Sequence, residues 1–322
     1  MEIVTFLNQK GSADERGPRV GALLSGEYIL DFARALADTQ AGLCATSPAN
    51  PLAWFDLDDL WLKQARRAYD EVSANSEGLE GARGKGLLVE CSYVRLLAPV
   101  PRPGKLICIG LNYRDHAAES KMKIPERPVV FSKFTTSVVA PGEPVILPAT
   151  SQQVDYEAEL AVVIGRRTKS VSSRRALEYV LGYTVFNDVS ARDFQFADGQ
   201  WQRGKSCDTF APMGPAIVTT DDVSDPHKLS IKLHLNGKTM QNSNTDQLIF
   251  GVPELISFLS ETITLEPGDV IATGTPAGVG FARKPPVFLK DGDVMEVEIE
   301  KLGKLTSPVI AARKSISKFA HS

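Results

Sequence analysis

The hydrophobic pattern changes period several times along the chain. Ile3–Leu7, Arg19–Leu24 and Tyr28–Leu30 are short apolar runs of strand type, the last entered through a Gly26-Glu27 turn. From Leu57 to Ser73 the spacing becomes helical, with Leu57, Leu60, Trp61, Ala65, Ala68 and Val72 on one stripe. The glycine-rich, charged stretch Asn75–Gly86 reads as an exposed loop. Alternating prolines in Ala98–Gly104 keep the chain extended and mark a boundary. Beyond it strands dominate: Lys105–Gly110, Val129–Lys133, Glu157–Ile164, Gly182–Asn187, Ala216–Thr219, Ser230–Leu235, Val270–Thr273 and Val294–Ile299. Asn236-Gly237 signals a hairpin. Helical spacing returns only at Arg174–Tyr179, Val252–Ser260 and a short piece that Asn112 would cap. The pattern predicts a β-rich α+β fold of barrel or sandwich type. Residues 1–98 form a small N-terminal α+β domain in this reading, and 103–322 a larger catalytic one.

Composition narrows the function classes. With 322 residues, 43% of them hydrophobic and 23% charged, a sizeable core is assured. A formal net charge of −3 gives no basic footprint, so nucleic acid is not expected as a partner. No apolar run is long enough to span a bilayer. Cys44, Cys91, Cys108 and Cys207 are scattered without C-x-x-C spacing, which suits a reducing compartment. With no basic, apolar leader at Met1–Asn8, these features predict a cytoplasmic protein.

Candidate chemistry concentrates in the second part. In Val154–Leu160, strand geometry puts Glu157 and Glu159 on one face, opposite Tyr156, Ala158 and Leu160. Two such carboxylates at the mouth of an apolar strand repel and lose hydration, and a divalent cation offsets that cost. An isolated pair is more often acidic decoration on a solvated edge. Asp188, ending the apolar run Tyr183–Asn187, supplies the third carboxylate that favours a metal site. Oxygen-only ligands suit Mg²⁺ or Mn²⁺, admit Ca²⁺ and disfavour zinc.

Three further groups stand out. His116 and Glu119 are spaced i and i+3 on a short helix, where a carboxylate can orient an imidazole base; an ordinary surface pair has the same spacing. Arg192 can grip a carboxylate in a bidentate fashion and Lys205 can stabilise an oxyanion, although most such cations are simply solvated. Cys207 lacks a partner at a recognisable nucleophile spacing. The loop Thr273–Gly280 matches neither dinucleotide nor P-loop patterns, and reads instead as backbone amides and the Thr275 hydroxyl offered to a carboxylate.

Taken together, Gly110–Glu119, Phe131-Ser132-Lys133, Asp155–Leu160, Asn187–Asp193, Gly204-Lys205-Ser206 and Thr273–Pro276 resemble the fumarylacetoacetate hydrolase family, in order and spacing, over about residues 103–310. The resemblance implies a mixed β-sandwich roll, assembly as a homodimer, and a Mg²⁺ or Mn²⁺ site on Glu157, Glu159 and Asp188. It implies that His116 and Glu119 lie on a lid. Lys205 and Gln195 would hold oxygens at the reacting centre, with Arg192 and Thr275 as substrate contacts and Thr209 near a secondary cation. The additional upstream carboxylate ligand of the founding hydrolase has no match here, which points to members acting on acylpyruvates and related small 2-oxo acids. The leading expectation is hydrolysis of a C–C bond in a 2,4-dioxo acid, from sugar-acid or aromatic catabolism, with His116 activating water. The alternative is decarboxylation, isomerisation or tautomerisation of a 2-oxo acid such as oxaloacetate. A catalytically silent metal–carboxylate binding protein is the reading of another class, disfavoured by the His116–Glu119 pair.

Overall fold

Strand Ala158–Ile164 is buried along its whole length, and its alternate side chains feed two different cores. Leu160, Val162 and Ile164 join one cluster with Ile231, Leu233, Val297 and Leu305. Ala161 and Val163 join another with Phe186, Ala272, Leu30 and Trp61. A strand covered on both faces is apolar at nearly every position, which is why its sequence runs Leu-Ala-Val-Val-Ile without polar alternation.

The computed structural model describes residues 1–10, 17–37, 59–197 and 199–312. Cys44, Leu57 and His321 lie outside the described residues. Two large sheets carry the fold. The first runs, edge to edge, through Leu88–Glu90, Tyr28–Asp31, Pro18–Leu24, Glu2–Asn8, Ala211–Thr219, Val180–Asn187, Ala158–Ile164, Val270–Ala272, Leu106–Gly110 and Val129–Ser132. The second runs through Lys238–Asn244, Ser230–Leu235, Val294–Ile299, Gly303–Ala311 and Val145–Leu147. The first core cluster lies between them, with helix Val252–Thr262 contributing Leu255, Ile256 and Leu259. This is the β-rich α+β sandwich expected from the pattern. No helix among the described residues is long and apolar enough to cross a membrane.

Asn236 and Gly237 both have positive φ, the backbone a tight hairpin needs, and they join Ser230–Leu235 to Lys238–Asn244 as expected. Two local expectations fail. Asn75–Gly86 is not a loop: Ser76–Gly84 is helical, capped by the Asn75 side chain accepting from the Gly78 amide. Asn112 does not cap the next helix, which spans Arg114–Glu119 with Tyr113 at the cap. Asn112 is instead fully buried and bonds Thr273 O, Phe250 O and Phe250 N, clamping three segments together. At the N-terminal side, Glu2 and Ile3 pair with Val218 and Ile217, so the first strands continue the large sheet. Ala98 and Val100 are buried in the second cluster.

Candidate active site

Strand register assembles the acidic cluster. Ala158 pairs with Asn187 and Glu159 with Phe186, so Asp188 falls opposite Glu157, and its amide donates to Glu157 O at 2.9 Å. On the other side Ala161 pairs with Ala272, which carries Gly274 to Glu159; the Gly274 amide donates to Glu159 Oε2 at 2.8 Å. Ligand oxygens of Glu157, Glu159 and Asp188 therefore lie within 4.8 Å of one another, all three side chains buried.

Three buried cations surround the triad. Lys205 Nζ donates to Glu157 Oε2 and Asp188 Oδ2, both at 2.7 Å. Lys133 Nζ donates to Asp188 Oδ1 at 2.6 Å and Val189 O at 2.9 Å. Arg192 donates through Nη2 to Glu157 Oε1 at 2.6 Å, through Nε and Nη2 to Asp155 Oδ2, and through Nη1 to Gln195 Oε1 at 3.0 Å. With four of its five N–H groups engaged, Arg192 presents a single donor to a ligand rather than a fork. Lys205 arrives on the short helix Gln202–Lys205, which presses onto Arg192–Gln195 at Gly204; a Cβ there would sit 2.6 Å from the Gln195 amide nitrogen.

The charges are unevenly matched. Burial works against an ionised Glu157, yet Lys205 and Arg192 outweigh it and hold its carboxyl well below the usual range. Glu159 goes the other way. Burial, then the negative charges of Asp188 and Glu157, push it well above the usual range, against one backbone donor and the more distant Lys205. A buried carboxylate forced up by two others lacks a counter-charge, and an oxygen-only donor set fits a hard divalent cation. The residues present fit such an ion.

His116 and Glu119 share one face of the helix Arg114–Glu119, as their spacing predicts. His116 Nδ1 is buried 3.5 Å from Glu119 Oε2, without hydrogen-bond geometry. Glu119 also accepts the Gly278 amide. The other two histidines among the described residues have local partners: His227 Nε2 accepts the Val252 amide, and His234 Nδ1 lies 3.2 Å from the Thr239 hydroxyl. Thr209 accepts the Ile146 amide and stands apart from the pocket walls.

A cavity of about 310 Å³, small for a ligand pocket, opens over the cluster. His116, Glu119, Glu157, Glu159, Arg192, Gln195, Lys205 and Thr275 line it, while Asp188 lies beneath. A wider cleft of about 800 Å³ follows the edge strand Val129–Ser132, but no carboxylate lines it. The sequence reading gave no role to Lys133, Asp155 or Gln241. Lys133 and Asp155 stood inside quoted motifs, so a search for cations and acids to balance the triad would have found them. Gln241, one residue in an ordinary strand, carried no signal.

The family model described as fumarylacetoacetate (FAA) hydrolase C-terminal matches residues 105–310. An oxaloacetate tautomerase of Xenopus laevis, named as mitochondrial, is 43% identical over 307 residues, 94% of this chain and 90% of that protein. A human oxaloacetate tautomerase, also named as mitochondrial, is 51% identical over 221 residues, 68% of this chain and 70% of that one. The solved fumarylacetoacetate hydrolase from psychrophilic Exiguobacterium antarcticum superposes with a TM-score of 0.76 at 34% identity, covering 97% of this chain and 100% of that one. Two expectations are corrected by these names. The C–C bond hydrolase assignment gives way, because the relatives are tautomerases; one enolate-stabilising site serves both chemistries, so motifs alone could not choose. The cytoplasmic assignment gives way to relatives named as mitochondrial; composition and cysteine spacing do not separate one reducing compartment from another. Matched over most of its length by the family model and by relatives of similar extent, this chain belongs to the fumarylacetoacetate hydrolase family.

Proposed function

We propose that this chain is a tautomerase interconverting the keto and enol forms of oxaloacetate, dependent on Mg²⁺ or Mn²⁺ and working as a homodimer. The observation that carries the reading is the buried Glu157–Glu159–Asp188 cluster meeting Lys205 and His116 at one small cavity. The names of the relatives select tautomerisation among the reactions such a site supports. A divalent ion held by the three carboxylates would supply fixed positive charge against the negative charge developing on the substrate's C2 oxygen.

Lys205 spends two of its three N–H bonds on Glu157 and Asp188, leaving one for that oxygen. Burial opposes its charge, but Asp188 and Glu157 more than compensate and raise its pKa. A lysine held as ammonium is a donor, not the base. His116 is then the proton carrier. Its Nδ1 faces Glu119, which leaves Nε2 for the substrate. Nε2 takes a proton from C3, the C–H pair becomes the C2–C3 double bond, and the carbonyl pair moves to the C2 oxygen. Return of the proton to that oxygen completes the enol, with nothing consumed. Four buried acids (Asp155, Glu157, Glu159, Asp188) face three buried cations, so a divalent ion would offset the excess negative charge of this buried set.

With oxaloacetate and Mg²⁺, the protein is expected to hasten keto–enol equilibration, followed through the near-ultraviolet absorbance of the enol, without release of CO₂. Equilibration no faster than with the metal ion alone overturns the reading.

A further inference from the structure

Gln241 sits on Lys238–Asn244 in the second sheet, 1% exposed, and reaches behind the pocket wall. Its Oε1 accepts the Ala158 amide at 2.9 Å. Its Nε2 donates to Thr275 Oγ1 at 2.8 Å and to Pro276 O at 2.9 Å. The orientation of this amide is not free, because the Ala158 N–H can only donate and the Pro276 carbonyl can only accept. Both Nε2 hydrogens are thereby committed, and Thr275 Oγ1 must act as the acceptor in their shared bond. The Thr275 proton has to go elsewhere, and no acceptor among the described residues takes it. Thr275 lines the cavity.

Gln195, which also lines the cavity, has the same polarity by a separate route. Arg192 Nη1 donates into Gln195 Oε1, so the side of Gln195 left for a ligand is its NH₂ group. At Thr275 and Gln195 the pocket thus offers hydrogens, which suit acceptor-only oxygens.

We propose that Gln241 is a positioning residue that fixes the Thr275 hydroxyl as a donor to a substrate carboxylate. Gln241 does not touch the substrate; it removes the alternative in which Thr275 turns its proton toward the protein. The inference rests on the tautomerase reading for its substrate.

The test uses the full chain with Mg²⁺ and oxaloacetate, comparing wild type, Gln241→Met, Thr275→Val and the double variant. Loss of an oriented hydrogen bond to a charged group should raise KM about tenfold in each single variant, with kcat within about threefold. In the Thr275→Val background, Gln241→Met should add nothing further, because its effect passes through the hydroxyl. Mg²⁺ affinity, measured by calorimetry without substrate, should be unchanged. An unchanged KM in Gln241→Met overturns the proposal, as do multiplying effects in the double variant. So does a loss of Mg²⁺ affinity matching the KM change, which would assign Gln241 to support of Ala158 between the two glutamates. Gln241→Leu serves the same cycle should the Met variant not fold. A wild type that leaves oxaloacetate untouched removes the tautomerase reading and this inference together, whereas normal wild-type turnover beside an unaffected Gln241→Met removes the inference alone.

Discussion

The Glu119 carboxylate accepts the Gly278 amide at 3.0 and 3.1 Å, tying the helix that carries His116 to the loop that follows Thr275. Gly278 has φ +102, and a Cβ there would meet Met240 O at 2.2 Å, so the amide can be presented only by glycine. Glu119 thus ties helix Arg114–Glu119 to this loop with the same group that faces His116. Burial raises its pKa, but the His116 side chain, the Gly278 amide and Arg283 lower it further, and the net shift is downward. A carboxylate with a depressed folded pKa stabilises fully above its ordinary value and loses that contribution as pH falls through the lower folded one. The helix Arg114–Glu119 should stay docked at neutral pH and loosen only in acid. Hydrogen exchange over 114–122, corrected for intrinsic rates, should rise in acid for the wild type. It should already be high at neutral pH in Glu119→Gln, with kcat/KM about 10²-fold lower. Equal exchange in the two proteins would remove the latch.

The Lys133 side chain is fully buried, and its ammonium bonds Asp188 and Val189 O. Removing one partner of such a pair leaves an uncompensated buried charge, at a cost of about 3–5 kcal/mol. Lys133→Met should lose stability on that scale in denaturant unfolding, and Mg²⁺ should restore part of it by compensating Asp188. A metal-free variant as stable as the wild type would mean that Lys205 alone balances Asp188.

How legible the site was depended on whether its parts lie close in sequence or only in register. Glu157 and Glu159 could be paired from strand period alone, and His116 with Glu119 from helix spacing. Asp188 was attached to them by analogy of setting, and its physical link, the Ala158–Asn187 pairing, exists only in the folded sheet. The apolar runs announced the central strands because burial on both faces leaves no room for polar residues. Asn75–Gly86 misled because glycine and charge suggest a loop, while Asn75 and the packing of Gly78 against Glu71 O decide for a helix. Gln241 was invisible because its partners, Ala158 and Thr275, come from two other strands' ends.

Glu159 and His116 should separate under Mg²⁺. Glu159→Gln removes the carboxylate that burial and two neighbours already strain, so the metal-free protein should be at least as stable as wild type. Its unfolding midpoint should no longer climb with Mg²⁺, whereas wild type gains about 2.7 kcal/mol at a hundredfold excess over Kd. His116→Ala should keep the full Mg²⁺ response yet lose about 10²–10⁴ in kcat. Thermal unfolding with and without Mg²⁺ reads both. A Glu159→Gln protein with an undiminished Mg²⁺ response would remove Glu159 from the ligand set.

Asp155 gives the sharpest test of the alternating ladder of charges Asp155–Arg192–Glu157–Lys205–Asp188–Lys133, because its two oxygens face only donors. Oδ1 accepts the Tyr156 and Gly280 amides, and Oδ2 accepts the Phe281 amide together with Arg192 Nε and Nη2. An asparagine is nearly the same shape but must turn an NH₂ group toward one of these sets, donor against donor. If it faces Arg192, the guanidinium loses its grip and Glu157 loses the second of the two fixed cations, after Lys205, that keep it ionised. If it faces Gly280, the turn carrying Phe281 at the pocket mouth is released. Either way Asp155→Asn should lose about 3–5 kcal/mol of stability, the cost of breaking a buried charged pair. Its kcat/KM should fall about 10- to 100-fold at temperatures where it remains folded. Asp155→Glu keeps the charge but not the reach, and should fall between the two. An Asp155→Asn protein with wild-type unfolding and turnover would mean that Arg192 is positioned by Glu157 and Gln195 alone, and that the ladder ends at the triad.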